Sequence, residues 1–540
     1  MGFLLAAISH GLIEILAMAR AHWIQPTLFG DSFDSFVSRG SGIPIAQWII
    51  DQHNEHRLVF AKASSLWETT LLKLLPGQSN LFQNLALIVA CAGLWSWLCI
   101  RLLRNRGLQL LTSLAGFLLL LNPWQYENLS WEFQSPWFFI NVLVLAAAFL
   151  LSVPGLGIIG LVLALILPWI ALASSGQGLA VSLAFAICAW LHSRKLGLMV
   201  SCSGLAAVMT FFIVLPYSKP NSHPEFTFNL LYFLRALSGG GWQGLGMLCF
   251  VVAIFLLARR RPIPRKYWSS LLMPGLFSLL FVSMITLSRA GFGLEQASVS
   301  RYTSHSMMLG LSALLAFAVV EDRNRLRPMS FLGAFLALIA TVGSFPQNLQ
   351  AEGLAYPEAW AKSRHWAEEK RSRFACHAEQ YALKNKGINL LKPCKKIHPR
   401  QQIVDDYFEG RLSVQPTGWH GELLETPSHI SVVSLNSEDI QYVLDKPVLS
   451  DKSIRLRGWA FLKPDPSSSL YLIIHYGNSS LLGQKINFAG EDISEAYVLR
   501  DQDLGFDIEA PLFSEGAKVH SVSIAGLGAT VKVWSHADGK

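Results

Sequence analysis

Long apolar runs dominate the first 348 residues of this 540-residue chain. A membrane-spanning helix needs roughly 17–25 predominantly apolar residues, and eleven stretches of this region meet or approach that length. They lie near residues 2–19, 82–100, 108–123, 136–153, 156–173, 178–193, 197–216, 242–258, 268–288, 305–320 and 329–346. The sequence therefore predicts a polytopic α-helical membrane domain over residues 1–348.

The density of charged side chains separates this region from the rest of the chain. Residues 1–348 carry 22 basic and 12 acidic side chains, whereas residues 349–540 carry 22 and 24. The second region thus has the composition of a water-soluble domain. The formal net charge of +8 arises in the first region, where the basic residues lie mostly in short loops between apolar runs. We therefore expect the lipid bilayer, and no nucleic acid, as a partner.

The basic residues also predict an orientation. If the amino terminus is cytoplasmic, thirteen of the 22 fall in short inside loops, as the positive-inside rule requires, and nine of the 12 acids fall outside. The first apolar stretch lacks the features of a cleavable signal, so we expect it to be a retained span. Eleven spans then place the carboxy-terminal region in the periplasm of a bacterium, with the membrane domain in the inner membrane. The thirteen residues are Arg101, Arg104, Arg106, Arg194, Lys195, Arg259, Arg260, Arg261, Arg265, Lys266, Arg323, Arg325 and Arg327.

The long loops all lie on the predicted outer side, and the first of them, residues 20–81, carries a dense polar run. This run is Asp51-Gln52-His53-Asn54-Glu55-His56-Arg57. On a helix, residues four apart share a face, which would pair the two carboxylates and pair a histidine with the arginine. Carboxylates held together in a partly desolvated site suit general base work. A hydrated polar turn of an interfacial helix fits the same run equally well.

The second outer loop interleaves aromatic residues with amides and acids. Aromatic rings pack on the CH faces of sugars while amides and carboxylates bind hydroxyl groups, so the loop is typical of a carbohydrate site. Interfacial aromatic belts also contain Trp and Tyr, but they do not need acids. The polar candidates for substrate binding here are Gln125, Glu127, Asn128, Glu132 and Gln134.

The third outer cluster contains Arg289, Glu295, Arg301 and Tyr302. The two arginines lie at the outer ends of adjacent predicted spans, where the positive-inside rule does not call for them. Because the guanidinium fork binds phosphate oxygens well, they favour a lipid phosphate or pyrophosphate. As an alternative, they are anchors that pair with outer carboxylates such as Glu55.

Two further polar features lie outside these loops. His10 and Glu14 are four apart inside the first span, where ionisable residues are costly and usually functional; a short or frayed first helix is the alternative. Cys376 and Cys394 lie in the soluble region, where a disulfide is allowed if the region is periplasmic. Reduced thiols are an equal alternative.

The soluble region divides into two parts. Residues 349–425 read as a helical connector, because 352–385 is rich in Ala, Glu, Lys, Arg and Trp. Residues 426–540 show short alternating apolar runs broken by Gly, Pro, Asp and Ser, which is typical of an all-β sandwich. We expect this domain to bind an acceptor or to act as a structural cap, and not to carry the catalytic residues.

The order of these motifs resembles the GT-C class of membrane glycosyltransferases. The resemblance covers roughly residues 20–320 and rests on HNEHR in the first outer loop, WQYENLSWEFQ in the second, SSGQG at 174–178 and SRAGFGLEQASVSRYTS before the tenth span. It implies a GT-C-like fold and a transferase that uses a polyprenyl-phosphate-linked sugar donor. The acceptor would be a periplasmic glycan, an O-antigen or a protein.

The resemblance also implies an acidic catalytic base in the first outer loop. The candidates are Glu55, Asp51 and Asp34, with Glu55 preferred, while the usual position soon after the first span favours Asp31 or Asp34. The expected reaction is an inverting displacement, with His53, His56 and Arg57 among the substrate-binding residues. No DxD pair stands in this loop, so no cofactor is predicted with certainty and a divalent metal is left open. A transporter or flippase of lipid-linked glycans, and an O-antigen polymerase or ligase, are the alternative functions.

Overall fold

A computed structural model describes most of the membrane region and separate parts of the carboxy-terminal region. The described residues are 2–24, 44–53, 56–74, 77–153, 155–215, 217–218, 224–237, 252, 265–324, 356–385, 388–390, 440–444, 448–449, 453–462, 471–476, 480–485, 505–511, 519–526 and 529–535. Contacts between Cα atoms divide the chain into two compact units, Met1–Arg371 and Ser372–Lys540.

The described part of the first unit is helical. Its helices are α1 (Gly2–Ile24), α2 (Ile45–Ile50), α3 (Val59–Leu66), α4 (Asn80–Leu102), α5 (Arg106–Leu120), α6 (Tyr126–Ser130), α7 (Ser135–Ser152), α8 (Ile158–Ser174), α9 (Gly178–His192), α10 (Arg194–Met209), α11 (Leu230–Leu237), α12 (Arg265–Arg289), α13 (Ser300–Asn324) and α14 (Tyr356–Asn385), which continues into the second unit. Short π turns follow α3 and α10, and 3-10 turns lie at Pro123–Gln125, Glu132–Gln134, Ala290–Phe292 and Leu294–Ser298.

Within the described residues, seven helical stretches are long and apolar enough to cross a membrane. They are Leu4–Ile24, Asn80–Leu102, Arg106–Ser130, Ser135–Ser152, Arg194–Val214, Tyr267–Phe292 and Ser300–Asp322, and the shorter apolar helices α8 and α9 follow the same pattern. They coincide with nine of the eleven predicted spans. The predicted spans near 242–258 and 329–346 lie, apart from Val252, outside the described residues. The chain is therefore a helical protein of membrane-spanning character.

Helix α13 lies at the centre of the bundle, buried along its whole apolar length. Polar groups join it to its neighbours: Ser306 Oγ donates to the carbonyl of Ala236 at 2.8 Å, and Ser278 Oγ donates to the carbonyl of Ser306 at 3.3 Å. His305 Nδ1 meets Asn141 Oδ1 at 2.8 Å, and its ring stacks on Trp137. Because hydrocarbon offers no hydrogen-bond partners, such pairs fix how the helices pack.

The turn between α4 and α5 is tied to the end of the central helix α13. One end of the bundle, here called the predicted inner end, carries this tight turn. There Asn105 caps α5 by accepting from the backbone N–H groups of Gly107 and Leu108. The Asp322 carboxylate of α13 accepts from the N–H groups of Arg104 and Asn105 at 2.9 and 2.8 Å. The opposite end, the predicted outer end, holds the long loops.

A buried carboxylate in the second half of the long first loop binds the backbone just before α4. Glu68 accepts hydrogen bonds from the backbone N–H groups of Gly77 and Ser79, and His22 donates from Nε2 to the Gly77 carbonyl at 2.8 Å. Burial raises the pKa of Glu68, and these hydrogen bonds oppose the shift. The contacts hold the end of α1 beside the start of α4.

The second unit contains the described strands. They are β1 (Ile388–Leu390), β2 (Ile440–Leu444), β3 (Val448–Leu449), β4 (Ser453–Leu462), β5 (Tyr471–Tyr476), β6 (Ser480–Lys485), β7 (Gly505–Pro511), β8 (Val519–Gly526) and β9 (Ala529–Ser535). One sheet has the order β1-β6-β5-β8-β9, and in the other β4 pairs with β2, β3 and β7. All described pairs are antiparallel except β1 with β6. Residues 426–439, at the start of the predicted β-sandwich domain, lie outside the described residues.

Candidate functional site

The first outer segment, residues 51–57, begins where α2 ends at Asp51. Its half-buried carboxylate lies close enough to Lys62 and Arg57 to interact with both charges. Lys62 is almost fully buried, and its Nζ donates to the carbonyls of Trp48 at 2.7 Å and of Asp51 at 2.8 Å. A predicted catalytic carboxylate thus lies beside two buried cations, of which the sequence analysis had named only Arg57.

Arg57 is held by backbone carbonyls. Its guanidinium donates to the carbonyls of Ile50 at 2.6 Å, Leu215 at 3.0 Å and Phe211 at 3.3 Å. Burial lowers its pKa, while Asp51 raises it. These bonds connect the first outer loop with the end of α10, so Arg57 positions the segment. Substrate binding by Arg57 stays a prediction.

Lys62 makes stability depend on pH. Burial lowers its pKa from the ordinary 10.5 to about 8, an effect that Asp51 opposes and Arg57 reinforces. Between these two pH values the unfolded chain binds more protons than the folded chain, so stability rises with pH. We expect the melting temperature of the wild type, relative to that of Lys62→Met, to increase between about pH 7 and about pH 10. Thermal denaturation of both proteins in detergent measures this.

The exposed Lys73, on the same loop, provides the matched control. In Lys73→Met the melting temperature relative to the wild type should stay constant over the same pH interval, because this side chain lies in solvent. A constant difference for Lys62→Met as well would contradict the lowered pKa.

The two histidines of the first segment face different neighbours. His53 and His56 exchange backbone hydrogen bonds of 2.7 and 2.9 Å, and Glu55 lies between them in the chain. His56 Nδ1 accepts from the N–H of Gly176 at 3.1 Å, so a neutral ring carries its proton on Nε2. The His53 ring lies 5.6 Å from that of Phe133. The first segment therefore contacts both the SSGQG turn and the second outer segment.

The second outer segment, residues 122–134, is rich in buried amides. Four amide oxygens in or beside it are buried and have no hydrogen-bond partner within the described part of the chain; they belong to Asn84, Gln125, Asn128 and Gln134. The amide nitrogen of Gln125, by contrast, has a partner, because Nε2 donates to the carbonyl of Leu120 at 2.7 Å. Buried acceptors without donors are unusual and call for an explanation. Asn84, inside a predicted span, was missed by the sequence analysis, although a polar residue in an apolar run is itself a signal.

Glu127 connects the second outer segment to α13. Its carboxylate accepts from the backbone N–H of Arg301 at 3.2 Å, and its own N–H donates to Ser300 Oγ at 3.2 Å. Asn128 Nδ2 donates to the carbonyl of Arg301 at 3.0 Å. A carboxylate at a helix amino terminus stabilises the helix by roughly 0.3–1 kcal/mol. Glu127 therefore caps α13, and a role in substrate binding stays a prediction.

The third outer cluster extends from the end of α12 to the start of α13. The Arg289 guanidinium lies 5.7 Å from the ring of Phe292, and that of Arg301 lies 5.7 Å from the ring of Tyr302. Gly293, with φ of 100°, makes the turn between two 3-10 helices in a conformation that side chains with a Cβ rarely adopt. Glu295 is exposed in the second of these helices. Tyr302 is buried against Trp137 and Phe281.

The described contacts therefore link the predicted segments in series. The first segment meets the second through His53 and Phe133, and the second meets the third through Glu127 and Arg301. Asp34 and Glu55, like Asp31, lie outside the described residues, and of Glu132 only the backbone is described. Two of the three candidate bases are thus not located.

The amino-terminal half of α14 adds a layer that sequence reasoning missed. Lys370 is buried, donates to the carbonyl of Ser130 and lies 4.1 Å from the ring of Trp366. Trp366 in turn lies 6.1 Å from the rings of Tyr126 and Trp131. This part of the predicted connector thus packs on the second outer segment.

The ionisable pair His10 and Glu14 in the first span has a partner on α14. Arg364 forms an ion pair with Glu14, and His10 lies 3.8 Å from the same carboxylate. The ring of His10 also contacts Trp360 at 6.4 Å. Since a buried carboxylate is costly without a partner, this pair explains how Glu14 is accommodated.

Metal ligands, the cysteines of the carboxy-terminal region and similarity to known proteins complete the description of the site. In the described part of the chain, no group of three or more His, Cys, Asp or Glu residues is arranged to hold a metal ion. Cys376 is disulfide-bonded, and Cys394, the predicted partner, lies outside the described residues. Comparisons with protein families, with curated proteins and with solved structures gave no match.

Proposed function

We propose that the chain is a membrane glycosyltransferase, which moves a sugar from a polyprenyl-phosphate-linked donor to a glycan or protein acceptor at the predicted outer end. The observation that carries the proposal is the group of buried amide oxygens without donors around residues 122–134. Sugar hydroxyls are hydrogen-bond donors of the kind these oxygens lack, and binding would require the side chains that enclose them to move aside. The motif resemblance over residues 20–320 supports the same class of enzyme.

The surroundings of this group suit the proposed chemistry. His53, in the segment that also holds Asp51, contacts Phe133 of the second outer segment. The backbone of Arg301, at the start of α13, contacts Glu127 and Asn128 of the same segment. Aromatic rings of Trp131 and Phe133 lie 6.3 Å apart beside the amides. Acid, amides, rings and a cation are the groups that a transfer from a phosphate-linked sugar requires.

The proposed reaction is an inverting displacement. The acceptor hydroxyl oxygen forms a bond to the anomeric carbon as the bond from that carbon to the phosphate oxygen breaks. A carboxylate of the first outer loop, with Glu55, Asp51 and Asp34 as candidates, takes the hydroxyl proton. Arg301 and Arg289 stabilise the negative charge on the departing polyprenyl phosphate.

The proposal extends to the cellular setting. The thirteen basic residues of the predicted inside loops favour a bacterial inner membrane with a cytoplasmic amino terminus. The carboxy-terminal region would then be periplasmic, with its sheets packed as a β-sandwich that binds or covers the acceptor. These points rest on the sequence pattern.

A comparison of donors tests the proposed function. The purified full-length chain in proteoliposomes is offered the same labelled sugar as a polyprenyl phosphate, as a polyprenyl diphosphate and as a nucleotide sugar. We expect transfer from the polyprenyl phosphate alone. Movement of the lipid-linked sugar across the bilayer without transfer would instead establish a flippase, and transfer of a preassembled glycan from a diphosphate would establish a polymerase or ligase.

Arg301→Ala isolates the contribution of the arginine side chain. The contacts of Arg301 with Glu127 and Asn128 are made by its backbone, so the substitution leaves the cap of α13 in place. We expect the transfer rate to fall roughly tenfold to a hundredfold, because the departing phosphate loses a cation. The initial rate with the polyprenyl-phosphate donor measures this. The exposed Arg106 at the predicted inner end is the control, and equal rates for Arg106→Ala and Arg301→Ala would contradict the role.

A further inference from the structure

The segment 224–231 lies at the predicted outer end of the bundle and is attached to the end of α12 through Pro224 and Thr227. The N–H of Thr227 donates to the carbonyl of Leu287 at 3.0 Å, in the last turn of α12. Pro224 packs on Gly291 so tightly that a Cβ built on this glycine would lie 2.5 Å from the Pro224 Cβ. The segment thus lies at the depth where a membrane-spanning helix ends.

Helix α11 continues the segment and anchors it from below. Asn229 Oδ1 caps the helix by accepting from the N–H of Tyr232 at 3.0 Å. Tyr232, Ala236 and Leu237 are buried, and the carbonyl of Ala236 accepts from Ser306 of the central helix. One face of the segment and helix is therefore fixed to the bundle.

The other face presents large apolar side chains. Phe226 is 71% exposed, Phe228 58%, Leu230 62% and Leu231 47%. The residues between them, Glu225, Thr227 and Asn229, are exposed as well, so the segment is amphipathic. Exposed large apolar side chains of this kind mark an interaction surface. Leu287 and Phe292, at the end of the span beneath it, are also exposed. Within the described residues, the apolar side chains of the segment therefore lie next to exposed apolar side chains at the end of α12.

We propose that the segment 224–231 lies in the bilayer, at the boundary between head groups and acyl chains of the leaflet at the predicted outer end. Amphipathic segments bury their apolar face roughly 5–10 Å into this boundary, and aromatic side chains are enriched there. The continuity with the end of a membrane span selects lipid as the occupant. The segment is then an interfacial anchor that fixes the height of Arg289 and Arg301 relative to the lipid surface.

Photo-crosslinking in proteoliposomes tests the proposal on the full chain. Phe226→benzoylphenylalanine, Phe228→benzoylphenylalanine and Leu230→benzoylphenylalanine are made singly, irradiated and analysed by mass spectrometry for adducts. We expect lipid acyl-chain adducts at all three positions, at a yield close to that of the exposed span residue Leu205. As the control, benzoylphenylalanine is placed at the exposed Glu295 of the neighbouring 3-10 helix. We expect little lipid adduct from this variant.

The other occupants are outcomes of the same experiment. Adducts with residues 238–264 of the same chain, or with a second copy of the chain, would overturn the proposal, because another protein segment would then cover the face. Lipid yields at the level of Glu295 would overturn it as well. The readout does not involve sugar transfer, so the result is separate from that of the proposed function.

Discussion

Glu55→Gln is expected to lower the rate of sugar transfer by about 10²- to 10⁴-fold, the usual contribution of a general base. The substitution keeps the size of the side chain and removes its capacity to accept the hydroxyl proton. Transfer of labelled sugar from polyprenyl phosphate by the purified variant in proteoliposomes measures the loss. The melting temperature of the variant, measured in parallel, separates a loss of catalysis from a loss of folding.

Asp51→Asn separates catalysis from structure in the same segment. Asp51 lies beside Lys62 and Arg57 and raises the pKa of both against the effect of burial. Its loss is expected to lower the melting temperature, because two buried cations lose their nearby negative charge. If Glu55 is the base, Asp51→Asn retains much more activity than Glu55→Gln.

The exposed acid Glu368 on α14 serves as the control. Glu368→Gln should transfer sugar at the wild-type rate, because this carboxylate is in solvent. The assignment of a base to the first outer loop is rejected if Glu55→Gln, Asp51→Asn and Asp34→Asn all keep full activity.

Gly178→Ala is expected to give the largest loss of stability. Gly178 begins α9, and a Cβ there would lie 2.2 Å from the carbonyl carbon and oxygen of Ala171 and 2.4 Å from the nitrogen of Leu172. These are backbone atoms of α8, which cannot move aside as a flexible side chain can. Overpacking costs typically 1–3 kcal/mol, and we expect about 3 kcal/mol or more here. The melting temperature in detergent measures the loss.

A neighbouring glycine provides the matched control. In Gly204→Ala the new Cβ would have its nearest neighbours at 3.9 Å, ordinary van der Waals contact, so we expect a change within about 0.5 kcal/mol. Gly178 lies two residues after Gly176, whose N–H donates to His56. A shift of the turn would therefore also move the first outer segment. A melting temperature for Gly178→Ala equal to that of Gly204→Ala would contradict the close approach of the two helices.

Much of the membrane fold follows from the sequence, because the cost of burying backbone polar groups in hydrocarbon leaves few alternatives to helices. Apolar runs predicted α4, α7, α12 and α13 nearly to their ends. Loop lengths placed the polar segments together at one end. In the structure the first and second segments meet at His53 and Phe133, whose rings lie 5.6 Å apart.

The partners of individual polar residues were harder to predict. Glu127 was interpreted as a substrate-binding residue, and in the structure it caps a helix that starts 173 residues later in the chain. Arg57 was paired with a histidine on a helix, whereas it binds carbonyls of Ile50, Phe211 and Leu215. Lys62 and Lys370 drew no attention, because nothing in their neighbours along the chain indicates burial.

The sequence by itself determined that the chain has apolar helices of spanning length. It also determined which connections between apolar runs carry basic residues and which carry acids, amides and aromatic rings. These features can be read from composition along the chain, because the hydrocarbon of a bilayer accepts apolar residues and excludes charged ones. Only the tertiary structure decided which buried cations lie beside Asp51, which carboxylate caps α13 and which amide oxygens are left without donors. Those outcomes depend on contacts between residues far apart in the chain, and the free energy of burying a polar group is set by the partner that it finds there.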